Sequence, residues 1–252
     1  MSSQKPSVTS ASFDAVLFDL DGVLTATAKV HDAAWKKTFD AYLKERAAKN
    51  NEPFKPFDPD EDYSKYVDGK PRYDGVKSFL ESRGIHLPYG DPHDPPEKET
   101  ICGIGNRKEE LVIKTLKTEG VEVYDGSVAW VKQLRKNGIK TAVVSSSKNC
   151  QAVLQAGGIE GLFDVRVDGH VVEDQKLPGK PAPDTYLHAA ALLDAKPSRA
   201  VVVEDALSGV QSGRNGNFGL VIGVNRDGQE HADALRKNGA DVVVNDLKEM
   251  LP

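Results

Sequence analysis

The sequence predicts an α/β protein: a parallel sheet with helices on both faces, and an all-helical module inserted after the first strand. Three observations carry this. Short apolar runs at 15–18, 139–144, 200–203, 220–224 and 242–244 have the valine-rich character of strands buried on both faces. From residue 121 onward these runs alternate with helical stretches, as βαβ units do. Between 29 and 118 helical stretches and Pro-rich loops follow one another with no strong strand.

The first strand is Ala15-Val16-Leu17-Phe18, and Gly22 lets the chain turn sharply after it. Residues 29–49 contain no Gly or Pro and carry Val30, Ala33, Ala34, Ala41, Tyr42 and Leu43, which predicts a helix. Thr27 and His31, four apart, share a face if that helix begins early. Prolines 53, 56 and 59 and the acidic run Asp58 to Asp62 predict a solvated loop over 50–62. Asp68-Gly69-Lys70-Pro71 reads as a turn, 73–82 as a short amphipathic helix ended by Gly84, and 88–96 as a second Pro-rich loop. A helix over 97–118 is weakened by Gly103 and Gly105. Asp125 is a candidate N-cap for a helix to Lys136, stopped by Asn137-Gly138. There follow a strand at 139–144, a helix at 149–156 closed by Gly157-Gly158, and a strand at 163–167. A proline-opened helix over 183–193 precedes the strand at 200–203, and a helix at 206–214 precedes the strand at 220–224. After the strand at 242–244, residues 247–251 are helical at most.

At 252 residues the chain makes one large domain or two smaller ones, either with a sizeable core. With 39% hydrophobic and 28% charged residues it is globular rather than disordered. A net charge of −5 argues against nucleic-acid and anionic-membrane partners. Cys102 and Cys150 lack metal-ligand or CxxC spacing and read as reduced thiols in a cytoplasmic protein. Residues 1–12 are polar, so no signal peptide is expected, and no apolar run approaches bilayer-spanning length.

Candidate chemistry sits where strands end. Asp19 and Asp21 follow the first strand, where open α/β sheets bind ligands. Two carboxylates there repel each other and resist burial; the alternative is a pair of solvated aspartates. The strand at 139–144 ends in Ser145-Ser146-Ser147-Lys148-Asn149, whose hydroxyls and N–H groups either hold an anion or merely cap a helix. Lys180 lies in the rigid turn Gly179-Lys180-Pro181-Ala182-Pro183, as an anion partner or a solvated lysine. Glu204-Asp205 ends another strand and offers oxygen ligands to magnesium. Each signal alone is weak. Together, carboxylate nucleophile, second carboxylate, magnesium, lysine and anion cradle make a phosphoryl-transfer site. Each close carboxylate pair costs about 4 kcal/mol at ~4 Å and an effective dielectric near ~20, which a cation and a lysine offset. There is no P-loop, and Gly103-Ile104-Gly105 follows no strand and lacks the third glycine of a dinucleotide fingerprint.

Phe18-Asp19-Leu20-Asp21-Gly22-Val23, Val144-Ser145-Ser146, Lys180-Pro181 and Glu204-Asp205 resemble, in order, the four motifs of the haloacid dehalogenase superfamily. Thr27, His31 and Trp35, with Ser145-Ser146-Ser147-Lys148-Asn149 and Gly179-Lys180-Pro181-Ala182-Pro183-Asp184, resemble its β-phosphoglucomutase branch. The resemblance covers nearly the whole chain. It implies a Rossmann-like core domain at 1–26 and 120–252 and an α-helical cap domain at 27–119, here longer than the compact form because of material around 51–62 and 88–100. Gly69-Lys70-Pro71-Arg72 stands where that branch has a Gly-x-x-Arg substrate loop, and Lys108 is similar to a cap lysine.

The resemblance implies that Asp19 is the nucleophile and that Asp21 is the general acid and base. Mg2+ would sit on Asp19, the Asp21 carbonyl and Asp205, with Glu204 assisting. Ser145, with Ser146 beside it in the same motif, and Lys180 would hold the transferring phosphoryl group. Arg72, with Lys148 or Asn149, would grip a second phosphate, and Thr27, His31 and Lys108 would line the substrate side of the cap. The implied reaction converts β-D-glucose 1-phosphate to glucose 6-phosphate through an aspartyl phosphate and glucose 1,6-bisphosphate. The alternative is a phosphatase of small phosphorylated metabolites, which needs the same four motifs; a non-catalytic protein would not need them. The expected partner is a phosphorylated sugar, with no nucleic acid or membrane, and the expected assembly a monomer or weak oligomer.

Overall fold

A computed structural model describes residues 6–252. The first five, part of the polar stretch considered above, lie outside the described residues. The chain divides into two compact units, one running through Ala26 and from Val121 to Pro252, the other Thr27–Gly120.

The first unit is built on a six-stranded sheet of β1 (Ala15–Phe18), β2 (Lys140–Val144), β3 (Val165–Val167), β4 (Ala200–Glu204), β5 (Leu220–Val224) and β6 (Val242–Val244). The order is β3-β2-β1-β4-β5-β6 and every pairing is parallel. Leu17 lies in register with Ala142 on one side and Val202 on the other. The connections that leave β1 (to β2) and β4 (to β5) therefore run in opposite directions across the sheet, which opens a crevice at the carboxyl ends of these two neighbouring strands. Side chains alternate between two apolar layers, as the period of a strand requires. Ala15 and Leu17 pack with Tyr186 and Ala189 of α8 (Asp184–Leu192), Val210 of α9 (Leu207–Asn215) and Leu235 of α10 (Gly228–Lys237). Phe18 meets the Trp130 ring of α5 (Asp125–Lys136) edge-on at 5.5 Å. Each such fully buried side chain contributes roughly 1.5–3 kcal/mol.

The second unit holds α1 (Ala28–Asn50), α2 (Glu61–Tyr66), α3 (Arg72–Ser82) and α4 (Ile101–Glu119). Trp35 and Phe39, four apart on α1, stack at 5.1 Å. Phe39 also meets Phe79 of α3 at 4.3 Å and Phe57 at 5.1 Å. The Pro-rich loop before α2 is fastened to α1: Phe57 N–H donates to Asp40 at 2.8 Å and Lys36 donates to the Phe57 carbonyl at 3.0 Å.

Several elements differ from the sequence expectation. The region read as a loop over 50–62 already contains the start of α2. The helix expected from 97 begins at Ile101, because Thr100 takes the N-cap and accepts the Gly103 N–H at 3.0 Å. Asp125 is the first helical residue of α5, and Tyr124 holds the cap position. Helices α6 (Cys150–Ala156), α7 (Gly169–Asp174) and α10 complete the unit, and the last two were not expected. Both are short, and α10 is mostly polar, with only Ala232 and Leu235 buried. No helix among the described residues is long and apolar enough to cross a membrane.

Candidate active site

β1 delivers Asp19 to the crevice. Its N–H still bonds the Val203 carbonyl at 2.9 Å, so Asp19 leaves the sheet from an extended position beside β4. The chain then folds back tightly, with Gly22 N–H on the Thr25 carbonyl at 2.8 Å and Thr25 N–H on the Leu20 carbonyl at 3.0 Å. Gly22 has φ +82°, and the Asp205 carboxylate lies where any Cβ would stand. Only glycine meets both conditions, which brings the loop after β1 against the loop after β4.

Lys180 is buried at the centre. Its Nζ donates to Asp19 Oδ1 at 2.5 Å, to Glu204 Oε1 at 2.6 Å and to the Val144 carbonyl at 3.3 Å, which uses all three ammonium protons. Glu204 is wholly buried and equally occupied: Oε1 also accepts the Tyr186 hydroxyl at 2.8 Å, and Oε2 accepts the Ala206 N–H at 3.2 Å. Gly209 leaves the room this carboxylate needs. Tyr186 is a site residue the sequence reading missed. An aromatic residue in the Ala-rich helix α8 reads as ordinary core, and nothing local signals that its hydroxyl meets an acid.

Asp19, Glu204 and Asp205 each offer a ligand oxygen, all within 4.8 Å of one another. Burial, with the Glu204 and Asp21 charges, pushes the Asp19 carboxyl well above the usual carboxylate range, although Lys180 opposes this. Burial opposes the charge on Lys180, yet the Asp19 and Glu204 carboxylates hold it protonated and raise its pKa. The three clustered carboxylates of Asp19, Glu204 and Asp205 outnumber the one ammonium, Lys180, that bonds two of them, and leave a negative excess. Hard oxygen donors with surplus negative charge suit a divalent cation such as magnesium.

The second strand end adjoins this cluster, since Lys180 bonds the carbonyl of Val144 just before Ser145. Ser145 is buried, and its Oγ accepts the Ser147 N–H at 3.1 Å; Ser147 Oγ in turn accepts the Asn149 N–H at 3.1 Å. These bonds set the turn that carries Ser146, Lys148 and Asn149. Lys148 reaches Glu173 of α7 at 2.6 Å, a partner that the sequence reading did not foresee.

In the helical unit, His31 N–H donates to the Thr27 carbonyl at 3.0 Å in the first turn of α1. Lys108 of α4 is buried, with Nζ 2.8 Å from His31 Nδ1 and 4.9 Å from the Trp35 ring centroid. So Thr27, His31, Trp35 and Lys108 gather in one place. Arg72, the first residue of α3, pairs with Glu109 of α4 at 3.0 Å and lies 4.8 Å from the Tyr73 ring centroid. Glu109 was likewise absent from the expected set.

Comparison with known proteins agrees with this architecture. Residues 13–217 match the family model of haloacid dehalogenase-like hydrolases. A protein named β-phosphoglucomutase from Mycobacterium tuberculosis is 52% identical over 238 residues, covering 94% of this chain and 91% of that protein. One of the same name from Bacillus subtilis is 31% identical over 237 residues, covering 94% and 91%. The crystal structure of CbbY from Rhodobacter sphaeroides in complex with phosphate superimposes with a TM-score of 0.69 at 26% identity, covering 95% and 96%.

Proposed function

We propose that this chain, which belongs to the haloacid dehalogenase-like hydrolase family and to its β-phosphoglucomutase-like branch, is a magnesium-dependent mutase converting β-D-glucose 1-phosphate to glucose 6-phosphate. The observation that carries the mutase reading is the 52% identity to a β-phosphoglucomutase along nearly the full length of both chains. The geometry that supports phosphoryl transfer is the buried Asp19–Lys180–Glu204 chain at the edge of the sheet.

In this reading the protein begins each cycle as the Asp19 phosphate. The sugar's 6-hydroxyl oxygen attacks that phosphorus and its proton passes to Asp21; the bond from phosphorus to Asp19 breaks, and glucose 1,6-bisphosphate forms. The bisphosphate turns over, and Asp19 attacks the phosphorus at C1. Asp21 returns the proton to the departing C1 oxygen, which releases glucose 6-phosphate and restores the phosphoenzyme. Lys180 keeps Asp19 oriented and offsets charge on the phosphoryl oxygens, and Glu204 with Tyr186 keeps Lys180 in place. Mg2+, held by Asp19, the Asp21 carbonyl and Asp205, would neutralise charge between carboxylate and phosphoryl group when bound. Glu204 assists from behind, since its oxygens already serve three donors. Ser145 and Ser146 are proposed to donate to the transferring phosphoryl oxygens, and Asn149 to the second phosphate. Arg72 is proposed to bind the second phosphate, with Thr27, His31 and Lys108 recognising the sugar, so that residues 27–119 act as a cap. Lys148 is a proposed phosphate ligand once released from Glu173.

The test is a product assay with α- and β-glucose 1-phosphate side by side, with magnesium and a trace of bisphosphate. Glucose 6-phosphate from the β anomer alone is expected. Release of inorganic phosphate without isomerisation would make the protein a phosphatase and end the mutase reading.

A further inference from the structure

The loop after β5 and the helix α10 that follows it reach the two loops that carry the proposed metal ligands. Arg226 Nε donates to the Gly22 carbonyl at 2.6 Å, and its guanidinium lies 3.7 Å from the Tyr124 ring centroid. Its Nη1 donates to the Asn245 carbonyl at 3.3 Å, which anchors the head from the β6 side. The Arg226 backbone N–H donates to His231 Nδ1 at 3.3 Å. Nδ1 also lies 3.2 Å from Asn225 Oδ1, while Nε2 faces the Asp205 carbonyl at 2.9 Å, an oxygen that can only accept, so Nε2 carries a proton and donates. The two loops held in this way touch each other, because the Asp205 carboxylate occupies the space a Cβ on Gly22 would need.

We infer that Arg226 and His231 are positioning residues for the metal. The inference rests on the magnesium reading above. Arg226 fixes the peptide that follows the Asp21 carbonyl, His231 fixes the backbone of Asp205, and the bond between the two couples them. The ligand oxygens on both loops are thereby held at a set separation. Magnesium tolerates little departure from octahedral geometry, so the cost of loosening either loop falls on metal affinity first. Groups that orient metal ligands from behind are worth about 10–100-fold in affinity or activity.

The test is a titration of the metal-free protein with Mn2+, following free Mn2+ by electron paramagnetic resonance, for the unaltered protein and for Arg226→Ala, His231→Leu and His231→Gln. Arg226→Ala and His231→Leu are expected to weaken binding about tenfold or more. His231→Gln, whose amide N–H reaches the same carbonyl, is expected to bind within about threefold of the unaltered protein. The magnesium concentration for half-maximal turnover should shift in parallel, with turnover at saturating magnesium little changed. Unaltered Mn2+ affinity in folded Arg226→Ala and His231→Leu would overturn the inference, as would a Gln variant as weak as the Leu variant. If Arg226→Ala does not fold, the two His231 variants decide. No Mn2+ binding by the unaltered protein would instead remove the metal reading itself.

Discussion

Lys180 in the sheet unit and Arg72 in the helical unit are both cations paired with carboxylates, and they are held in opposite ways. Lys180 has a side chain only 1% exposed, and it bridges Asp19 and Glu204, themselves 10% and 0% exposed. Every proton it carries is committed. Arg72 is 19% exposed and meets Glu109, 18% exposed. Arginine's planar fork serves a phosphate as well as it serves a carboxylate, so a ligand can take over from Glu109 without leaving a charge stranded. The difference separates two tasks. Lys180, proposed to stay in place, is buried with a partner for every proton, and Arg72, proposed to exchange partners, is held nearer to water by Glu109 and Tyr73.

The largest effect should come from Lys180→Met. It leaves Asp19 and Glu204 buried without their shared cation, and breaking a buried pair in this way costs about 3–5 kcal/mol. Turnover should fall on the order of 10³-fold with the loss of a buried charge-stabilising donor. Adding Glu204→Gln removes one of the stranded charges, so in urea denaturation the double variant should lose less stability than the two single losses summed. Strict additivity would mean that the two residues do not act as one unit.

Arg72→Ala should behave differently. If Arg72 exchanges Glu109 for phosphate, kcat/KM with glucose 1,6-bisphosphate falls about 10–100-fold, the worth of a charged hydrogen bond, and stability changes by only about 1 kcal/mol. Arg72→Lys should recover part of the kinetic loss. A variant that loses several kcal/mol of stability with unchanged kinetics would place Arg72 in the same class as Lys180, and the contrast would fail.

The two clusters were not equally legible in the sequence. The rule that ligands gather where strands end picked out Asp19, Ser145 and Glu204-Asp205, because each directly follows a short apolar run. It did not say which residues bond to which: Lys180 and Asp19 meet across 161 positions, a distance only the sheet order resolves. Tyr186 was invisible because its ring fills the core and only its hydroxyl takes part in the site. Arg226 was within reach of the same rule, since Asn225-Arg226 follows β5, but the segment 225–241 is strongly polar and reads as solvated surface. In the helical unit, Ala34, Tyr42 and Leu43, three of the apolar residues that predicted α1, are buried, and Trp35 and Phe39 join them on that face. The pairing of Arg72 with Glu109 joins two helices through exposed-type residues, for which sequence offers no pairing signal.

The smallest effect concerns a residue that crosses the contrast. Asp94, in the loop before α4, collects donors as Glu204 does: Lys98 Nζ at 2.5 Å, Thr100 Oγ1 at 2.8 Å and the Asp91 N–H at 3.0 Å. Gly90 gives this carboxylate its space. The Lys98 hydrogen bond first, then that from Asp91, holds the Asp94 carboxyl down at about 2, below the ordinary aspartate value of 3.8. A carboxyl depressed in the folded protein stabilises it above the unfolded value, and that stabilisation is lost as pH falls through the folded one. Asp94→Asn should therefore melt a few degrees below the unaltered protein at neutral pH. The gap should hold down to about pH 4 and close between roughly pH 4 and pH 2. Trp35 reports the helical unit if Trp130 is replaced by Phe in both proteins, so the melts can be followed by fluorescence. A gap that persists unchanged to pH 2 would mean that Asp94 works through shape and hydrogen bonding alone, and that its charge contributes nothing.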